Sequence, residues 1–380
     1  MTQREKLIEV ASVFFKLGCF AFGGPAAHIA MMEEEVVTKR KWMDRQHFLD
    51  LMGATNLIPG PNSTEMTMHC GHERAGIPGL FIAGICFIFP AVFVTGTLAY
   101  LYITYGQLPD VAGFVYGIKP AVLAIIASAI YKLGKKALKN AELGALGVLV
   151  IVACYYGVNE IVALLAAGLL SVLYYQLKNK FTAKSDTNVK SIIPLLLAQA
   201  PVISKISLSS WTVFWTFLKV GSVLYGSGYV LFAYLDAELV GRGWLTRTEL
   251  IDAIAVGQFT PGPVLSTATF IGYQLTGFWG AIAATAGIFL PSFLFVWILN
   301  PLIPKMRKSA LLRNFLDAVN IAALGVMLFV LYQMGYETLN DWKTILIAGL
   351  SFFVVFVLKK TNPIWIILGG GILGYFLLPL

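Results

Sequence analysis

Two short stretches, about 200 residues apart, interrupt an otherwise apolar chain in the same way. The first is Asn56-Leu57-Ile58-Pro59-Gly60-Pro61-Asn62-Ser63 and the second is Gln258-Phe259-Thr260-Pro261-Gly262-Pro263-Val264-Leu265-Ser266. A helix that reaches Pro-Gly-Pro must stop, because proline removes a backbone donor and clashes with the preceding turn, and glycine admits unusual dihedrals. A new helix can start at once, since proline suits a first helical turn and Asn62 or Ser63 can cap it. The amides at such a start have no helical partner and sit at the positive end of the helix dipole, which suits an anion. The rest of the chain reads as the frame that holds two such breaks face to face.

Of the 380 residues, 58% are hydrophobic and 13% are charged. A soluble domain carries roughly 25% charge. Apolar runs long enough to cross a bilayer recur, which predicts a polytopic all-α membrane protein. The net charge of +8 is no nucleic-acid signal, because Lys and Arg cluster in the loops between apolar runs, where they set orientation. No signal-peptide pattern follows the mixed-charge Met1–Lys6. Cys19, Cys70, Cys86 and Cys154 are scattered and read as reduced packing residues.

The predicted spans of the first half are Ile8–Met31, Gly79–Tyr102, Val111–Leu133, Leu143–Tyr156 and Ile161–Leu177. Those of the second are Trp211–Leu235, Phe278–Leu299, Leu311–Gln333, Thr344–Leu358 and Ile364–Leu378. The halves match in order. Phe15-Lys16-Leu17-Gly18 answers Leu218-Lys219-Val220-Gly221, Trp42 answers Trp244, Arg45 answers Arg247, Asp50 answers Asp252, and Pro90 answers Pro291. A duplication of this kind is a feature of secondary transporters. The reading is therefore about ten transmembrane spans, in two repeats of five. Residues 1–180 form one repeat, 181–205 a cytoplasmic linker and 206–380 the second repeat.

Positive loops alternate in opposite phase. Gly106–Asp110 has no Lys or Arg, whereas its counterpart has Lys305, Arg307 and Lys308; the loop after Tyr131 has Lys132, Lys135, Lys136 and Lys139, whereas Tyr336–Asp341 has none. The positive-inside rule makes the repeats inverted, with Lys39, Arg40, Lys41 and Arg45 inside and both termini outside. Between the first and second spans of each half, Trp42–Ile58 with Asn62–Arg74, and Trp244–Phe259 with Val264–Thr276, read as broken or re-entrant helix pairs. Such backbone survives in a bilayer where protein buries it or it lines a watery cavity.

Candidate chemistry gathers at the breaks. Lys16 and Lys219 are intramembrane cations that face a shared anion, snorkel, or pair with Asp50 or Asp252. Gly23-Gly24-Pro25 and Gly226-Ser227-Gly228 either unwind the first spans or let two helices touch closely. Tyr225 and Tyr229 offer hydroxyls or simply pack. Asn56, Asn62, Ser63, Thr64, Gln258, Thr260 and Ser266 are neutral donors for a ligand or caps for the helices. Asp50 and Asp252 are proton-coupling candidates, or partners of Arg45, Arg247 or a lysine. Met66, Met68, His69, Cys70 and His72, with Glu65 and Glu73 beside them, have soft-metal chemistry without a recognised spacing, so no metal site and no cofactor is assigned. No phosphate-binding loop, nucleophile elbow or H-E-x-x-H motif occurs, so an enzyme is not expected.

Phe22-Gly23-Gly24-Pro25-Ala26-Ala27-His28, Pro59-Gly60-Pro61-Asn62-Ser63, Tyr225-Gly226-Ser227-Gly228-Tyr229 and Thr260-Pro261-Gly262-Pro263 resemble the signature stretches of the chromate ion transporter family, over nearly the whole chain as a two-domain member. The resemblance implies efflux of chromate, a tetrahedral dianion shaped like sulfate, across the bacterial inner (plasma) membrane, and hence chromate resistance. It carries motif roles onto Gly23, Gly24, Pro25 and His28, onto Pro59, Gly60, Pro61, Asn62 and Ser63, and onto Gly226, Ser227, Gly228, Tyr229, Pro261, Gly262 and Pro263. Ser227 against Gly24, and Val264 against Asn62, break the symmetry, so the second site binds less tightly or serves as scaffold. The expected partners are a small inorganic oxyanion and the lipid bilayer, not nucleic acid, with a homodimer as a compatible assembly. A carrier for sulfate, a passive anion channel and a soft-cation transporter are the alternatives.

Overall fold

The computed structural model describes residues 1–21, 25–55, 57–106, 109–182, 208–225, 228–299, 309–358 and 362–377, which are helical with no strand among them. Gly23, Gly24, Asn56, Gly226 and Ser227, and most of the predicted linker, lie outside the described residues. The first half contains α1 (Gln3–Phe20), α2 (Pro25–Met32) running into a π-helical turn (Glu33–Lys39), α3 (Arg45–Thr55), α4 (Asn62–Tyr105), α5 (Pro109–Ala137), α6 (Ala141–Tyr155) and α7 (Glu160–Thr182). The second contains α8 (Ser210–Val223), a 3-10 turn (Gly228–Val230), α9 (Leu231–Leu235) running into a π-helical turn (Asp236–Val240), and α10 (Arg247–Phe259). A 3-10 turn (Val264–Ser266), α11 (Thr267–Leu299), α12 (Ala310–Thr338), α13 (Trp342–Val357) and α14 (Pro363–Leu377) complete it.

Among the described residues, four helical stretches are long and apolar enough to cross a membrane: Asn62–Tyr105, Gly113–Ala137, Val264–Leu299 and Ala310–Thr338. Four more are apolar but shorter: Ala141–Tyr155, Glu160–Gln176, Trp342–Val357 and Pro363–Leu377. Many large apolar side chains point outward, among them Phe93, Trp215, Trp279 and Trp365. A surface of that kind faces lipid rather than water.

α4 and α11 are each two helices folded at a sharp reversal. Ala75 and Gly76 have φ/ψ of −141/19° and 67/−157°, and Thr276 and Gly277 have −143/25° and 69/−151°. Positive φ with such a ψ is glycine territory. On a straight helix Gly71 and Gly79 would stand about 12 Å apart. Here a Cβ built on Gly79 would overlap the Gly71 carbonyl, and Gly280 stands in the same relation to Gly272. The segment after each Pro-Gly-Pro therefore doubles back against the long span that follows, as the re-entrant reading expects.

The first span of each half does not run through. α1 ends at Ala21 (φ −80°, ψ 93°) and α8 at Leu224 (φ −75°, ψ 93°). Each helix thus ends just before its glycine cluster, most of which lies outside the described residues. At the start of α1, Gln3 donates to the Ala75 carbonyl (2.8 Å), and Glu9 pairs with Arg74 (2.7 Å) and Arg40 (3.2 Å). The N-terminal end of α1 thus shares a side with the basic Lys39–Arg45 segment, so α1 enters, breaks, and returns through α2. This corrects the expectation that Ile8–Met31 spans and that the N-terminus lies opposite those charges. In the second half Trp211–Leu235 is interrupted in the same way, with α8 ending at Val223.

The halves repeat in their ion pairs as well as their backbones. Arg45 holds Glu33 (2.9 Å), and Arg247 holds Asp236 (2.8 Å). Arg74 lies over the Trp42 ring and Arg242 over the Trp244 ring. α4 and α11 run antiparallel where they meet. Phe81, early in the long arm of α4, stacks on Phe293, late in the long arm of α11 (5.6 Å), while Tyr102 at the end of α4 meets Phe270 on the short arm of α11 before its reversal (5.3 Å).

Candidate functional site

The two breaks clasp each other. The Gly60 amide donates to the Leu224 carbonyl (2.6 Å), and the Gly262 amide donates to the Ala21 carbonyl (2.9 Å). Each Pro-Gly-Pro is thereby tied to the end of the first helix in the other half. The freed carbonyls explain why those helices stop where they do, since a buried C=O needs a donor. His28, buried in α2, donates from Nε2 to the same Ala21 carbonyl (3.0 Å).

Around the clasp the glycines have φ of +145° (Gly60) and +86° (Gly262). Pro59, Pro61 and Pro263 are buried and Pro261 is half-buried. Pro61 caps α4, which starts at Asn62, whereas Pro263 leads into the 3-10 turn before α11. A Cβ on Gly60 would overlap Glu65 Oε1 and Ser292 Oγ, whereas one on Gly262 would meet the Ala91 methyl at 3.0 Å. Ser63 is buried beside them. Gly228 begins the 3-10 turn that packs toward Leu265, and the Tyr229 side chain lies outside the described residues.

A cavity of about 120 Å³ opens beside the first break, lined in part by Ile58, Asn62, Lys136, Val230, Asn320 and Met327. It brings together two amide side chains, one ammonium and the start of α4, whose first amides have no intrahelical acceptor. That is a donor set for an anion. Sequence reading reached Asn62 but missed the other two polar groups. Lys136 reads there as one of a cluster of orienting charges. Asn320 is a lone polar residue in an apolar run, which is the one signal that marks it.

In the corresponding region of the second half the polar groups pair with one another. Lys119, the counterpart of Asn320, pairs with the buried Asp252 (3.5 Å), and Tyr102 donates to the same carboxylate (2.7 Å). Arg247 reaches both Asp236 and Glu337 (2.5 Å), Glu337 being the counterpart of Lys136. Asp252 is therefore held by a lysine, and Arg45 and Arg247 have other partners. Asp50 is half-buried, with Gln46 at 3.4 Å.

Lys16 and Lys219 are exposed and occupy matching places beside the π-helical turns. Lys219 pairs with Glu238 (2.5 Å), which Arg242 also holds. Hydrogen bonding from Lys39, with the charges of Lys39, Arg40 and Lys16, keeps the Glu35 carboxyl below the usual range. The structure brings neither lysine to the cavity lining. Thr260 donates to the Gly257 carbonyl (3.2 Å) and lies 3.5 Å from the Ser266 hydroxyl, a local cap. Gln258 is buried, and its Nε2 makes no hydrogen bond among the described residues. No group of three His, Cys, Asp or Glu side chains among the described residues is placed to hold a metal.

The family model described as chromate transporter matches this chain twice, over residues 8–172 and 211–375. The chain belongs to the chromate transporter family. The chromate transport protein of Cupriavidus metallidurans is 30% identical over 98% of this chain and 94% of its own length. A probable chromate transport protein of Synechococcus elongatus is 29% identical over 94% of this chain and 92% of its own. The chromate transport protein of Pseudomonas aeruginosa is 28% identical over 96% and 91%. No solved structure matches. As a member of this family the chain is a membrane transporter and not an enzyme, and each match covers one of the two clasped halves.

Proposed function

We propose that the chain is a secondary transporter that carries chromate out across the inner membrane, and that the state seen here is open to the cytoplasm. The observation that carries this is the cavity of Asn62, Lys136 and Asn320 beside the first break, set against its ion-paired counterpart at Lys119–Asp252. Residues 1–180 and 206–380 are its two repeats, inverted relative to each other and joined by residues 181–205. The antiparallel crossing of α4 and α11 and the reciprocal clasp support inversion. Lys136 belongs to a basic cluster, which the positive-inside rule assigns to the cytoplasm. The cavity then opens inward, where an exporter must collect its anion. The membrane potential favours the exit of a negative charge by about 2.3 kcal/mol per charge per 100 mV, so export needs no ATP.

The oxyanion is seated by the Asn62 and Asn320 amides, Lys136 and the first amides of α4. Closure of this mouth, with parting of Lys119 from Asp252, is the alternating step. The comparisons carry no support for sulfate as substrate or for a homodimer. The test is chromate flux in proteoliposomes of the purified chain, with sulfate as competitor. Lys136→Ala is expected to lower chromate flux about tenfold, the worth of one charge-assisted hydrogen bond at roughly 1.4 kcal/mol. Wild-type liposomes that move no chromate end the proposal.

A further inference from the structure

One carboxyl in the first repeat has no place in the account so far. Glu65 lies one turn inward from Asn62 on the same face of α4, where residues three apart are neighbours. It is fully buried, and neither of its oxygens makes a hydrogen bond among the described residues. The hydroxyls of Thr64, beside it, and of Ser292, from α11, are likewise fully buried without a partner. Glu65 Oε1 and Ser292 Oγ both press against the bare α-carbon of Gly60. This places an unsatisfied carboxyl and an unsatisfied hydroxyl directly behind the clasp, one turn along α4 from Asn62 at the cavity's edge.

The titratable groups near Glu65 are Tyr225, from the segment after α8, and His69, one turn further along α4. No ion pair among the described residues reaches it. An ionised carboxylate taken wholly out of water with no counter-charge is strongly disfavoured, so Glu65 holds its proton here. The second repeat has Thr267 and Ala91 where the first has Glu65 and Ser292. The carboxyl therefore belongs to one break and not to the shared scaffold.

We propose that Glu65 carries a coupling proton: the oxyanion binds only while Glu65 is protonated, so anion and proton occupy the site together. The inference rests on the transport reading above. As the neutral acid, Glu65 offers one O–H donor toward the break. Ionised, it gives that proton to water at the cavity mouth and sets a negative charge behind the seat of a dianion. Anion binding then falls as pH rises, and a dianion that crosses with one proton carries one net negative charge rather than two.

The purified full-length chain is titrated with chromate across a pH series, and proton uptake is counted by calorimetry in two buffers of different ionisation enthalpy. Wild type is expected to bind chromate at acidic pH and, at alkaline pH, to take up about one proton per chromate, with affinity about tenfold weaker per pH unit there. In Glu65→Gln the ratio of variant to wild-type affinity is expected to rise with pH by the same factor, and proton uptake to vanish. The ratio cancels the anion's own titration. Glu65→Asp keeps both proton uptake and pH dependence. Chromate binding by wild type without proton uptake overturns the proposal and leaves the transport reading standing, whereas absence of chromate binding at every pH removes both. Proton uptake that persists in Glu65→Gln assigns the proton elsewhere and overturns the role of Glu65. The wild-type proton count decides the matter even if the Gln variant does not fold.

Discussion

At the first break, Gly60 is backed by Glu65 and Ser292 and looks toward a cavity with Asn62 at its edge. At the second, Gly262 is backed by the Ala91 methyl, Val264 replaces Asn62, and nearby Lys119 and Tyr102 both engage the Asp252 carboxylate. The backbones are the same device, down to the extended caps at Ala21 and Leu224 and the reciprocal amide-to-carbonyl clasp. The side chains are not. A duplicated frame holds the breaks, and chemistry has been placed on one of them. Frame and chemistry can therefore be perturbed separately.

The largest difference is expected from adding one methyl group at each glycine. Gly60→Ala meets positive φ and overlap with two fully buried oxygens, so strain and overpacking together are expected to cost about 4 kcal/mol. Gly262→Ala meets positive φ and a single tight methyl neighbour at 3.0 Å rather than overlap, with a cost of about 2 kcal/mol. Fluorescence-detected unfolding in detergent measures both, and equal losses would break the contrast between the two breaks.

The paired aspartates come next. Asp252→Ala leaves Lys119 without its buried partner and is expected to cost about 3 kcal/mol. Asp50→Ala, at the matching but half-buried position where Gln46 donates to the carboxylate, is expected to cost under about 1 kcal/mol. Denaturant midpoints of the two variants read this directly. A large loss at Asp50 would mean that the inner region is as tightly paired as the outer one.

Much of the frame is legible in the sequence, because its signals are local. Pro-Gly-Pro stops a helix wherever it stands, Gly76 and Gly277 mark the reversals, and the repeat is written in Trp42 with Trp244 and Arg45 with Arg247. The path of α1 is not legible. Ile8–Met31 has the length and apolarity of a span, and only the tertiary contacts of Glu9 with Arg74 and Arg40 show that it turns back. The site is half legible. Asn62 follows from the break, but Lys136 and Asn320 reach it from helices far along the chain. Lys219, the sharper polar signal, belongs to Glu238, a residue that hydropathy places in no special position. Asn56, Gly23, Gly24, Gly226 and Ser227 lie outside the described residues, so their expected roles rest on the sequence alone.

The central claim is that the anion sits at the first break and not at its twin. Its most direct measurement is stabilisation of the purified chain by chromate, compared between Asn62→Ala and Val264→Ala. Saturating ligand at about 100-fold over its Kd adds about 2.7 kcal/mol to a protein that binds it. The account expects that gain in the wild type and in Val264→Ala, and its loss in Asn62→Ala. Chromate stabilisation that survives in Asn62→Ala and disappears in Val264→Ala would contradict it.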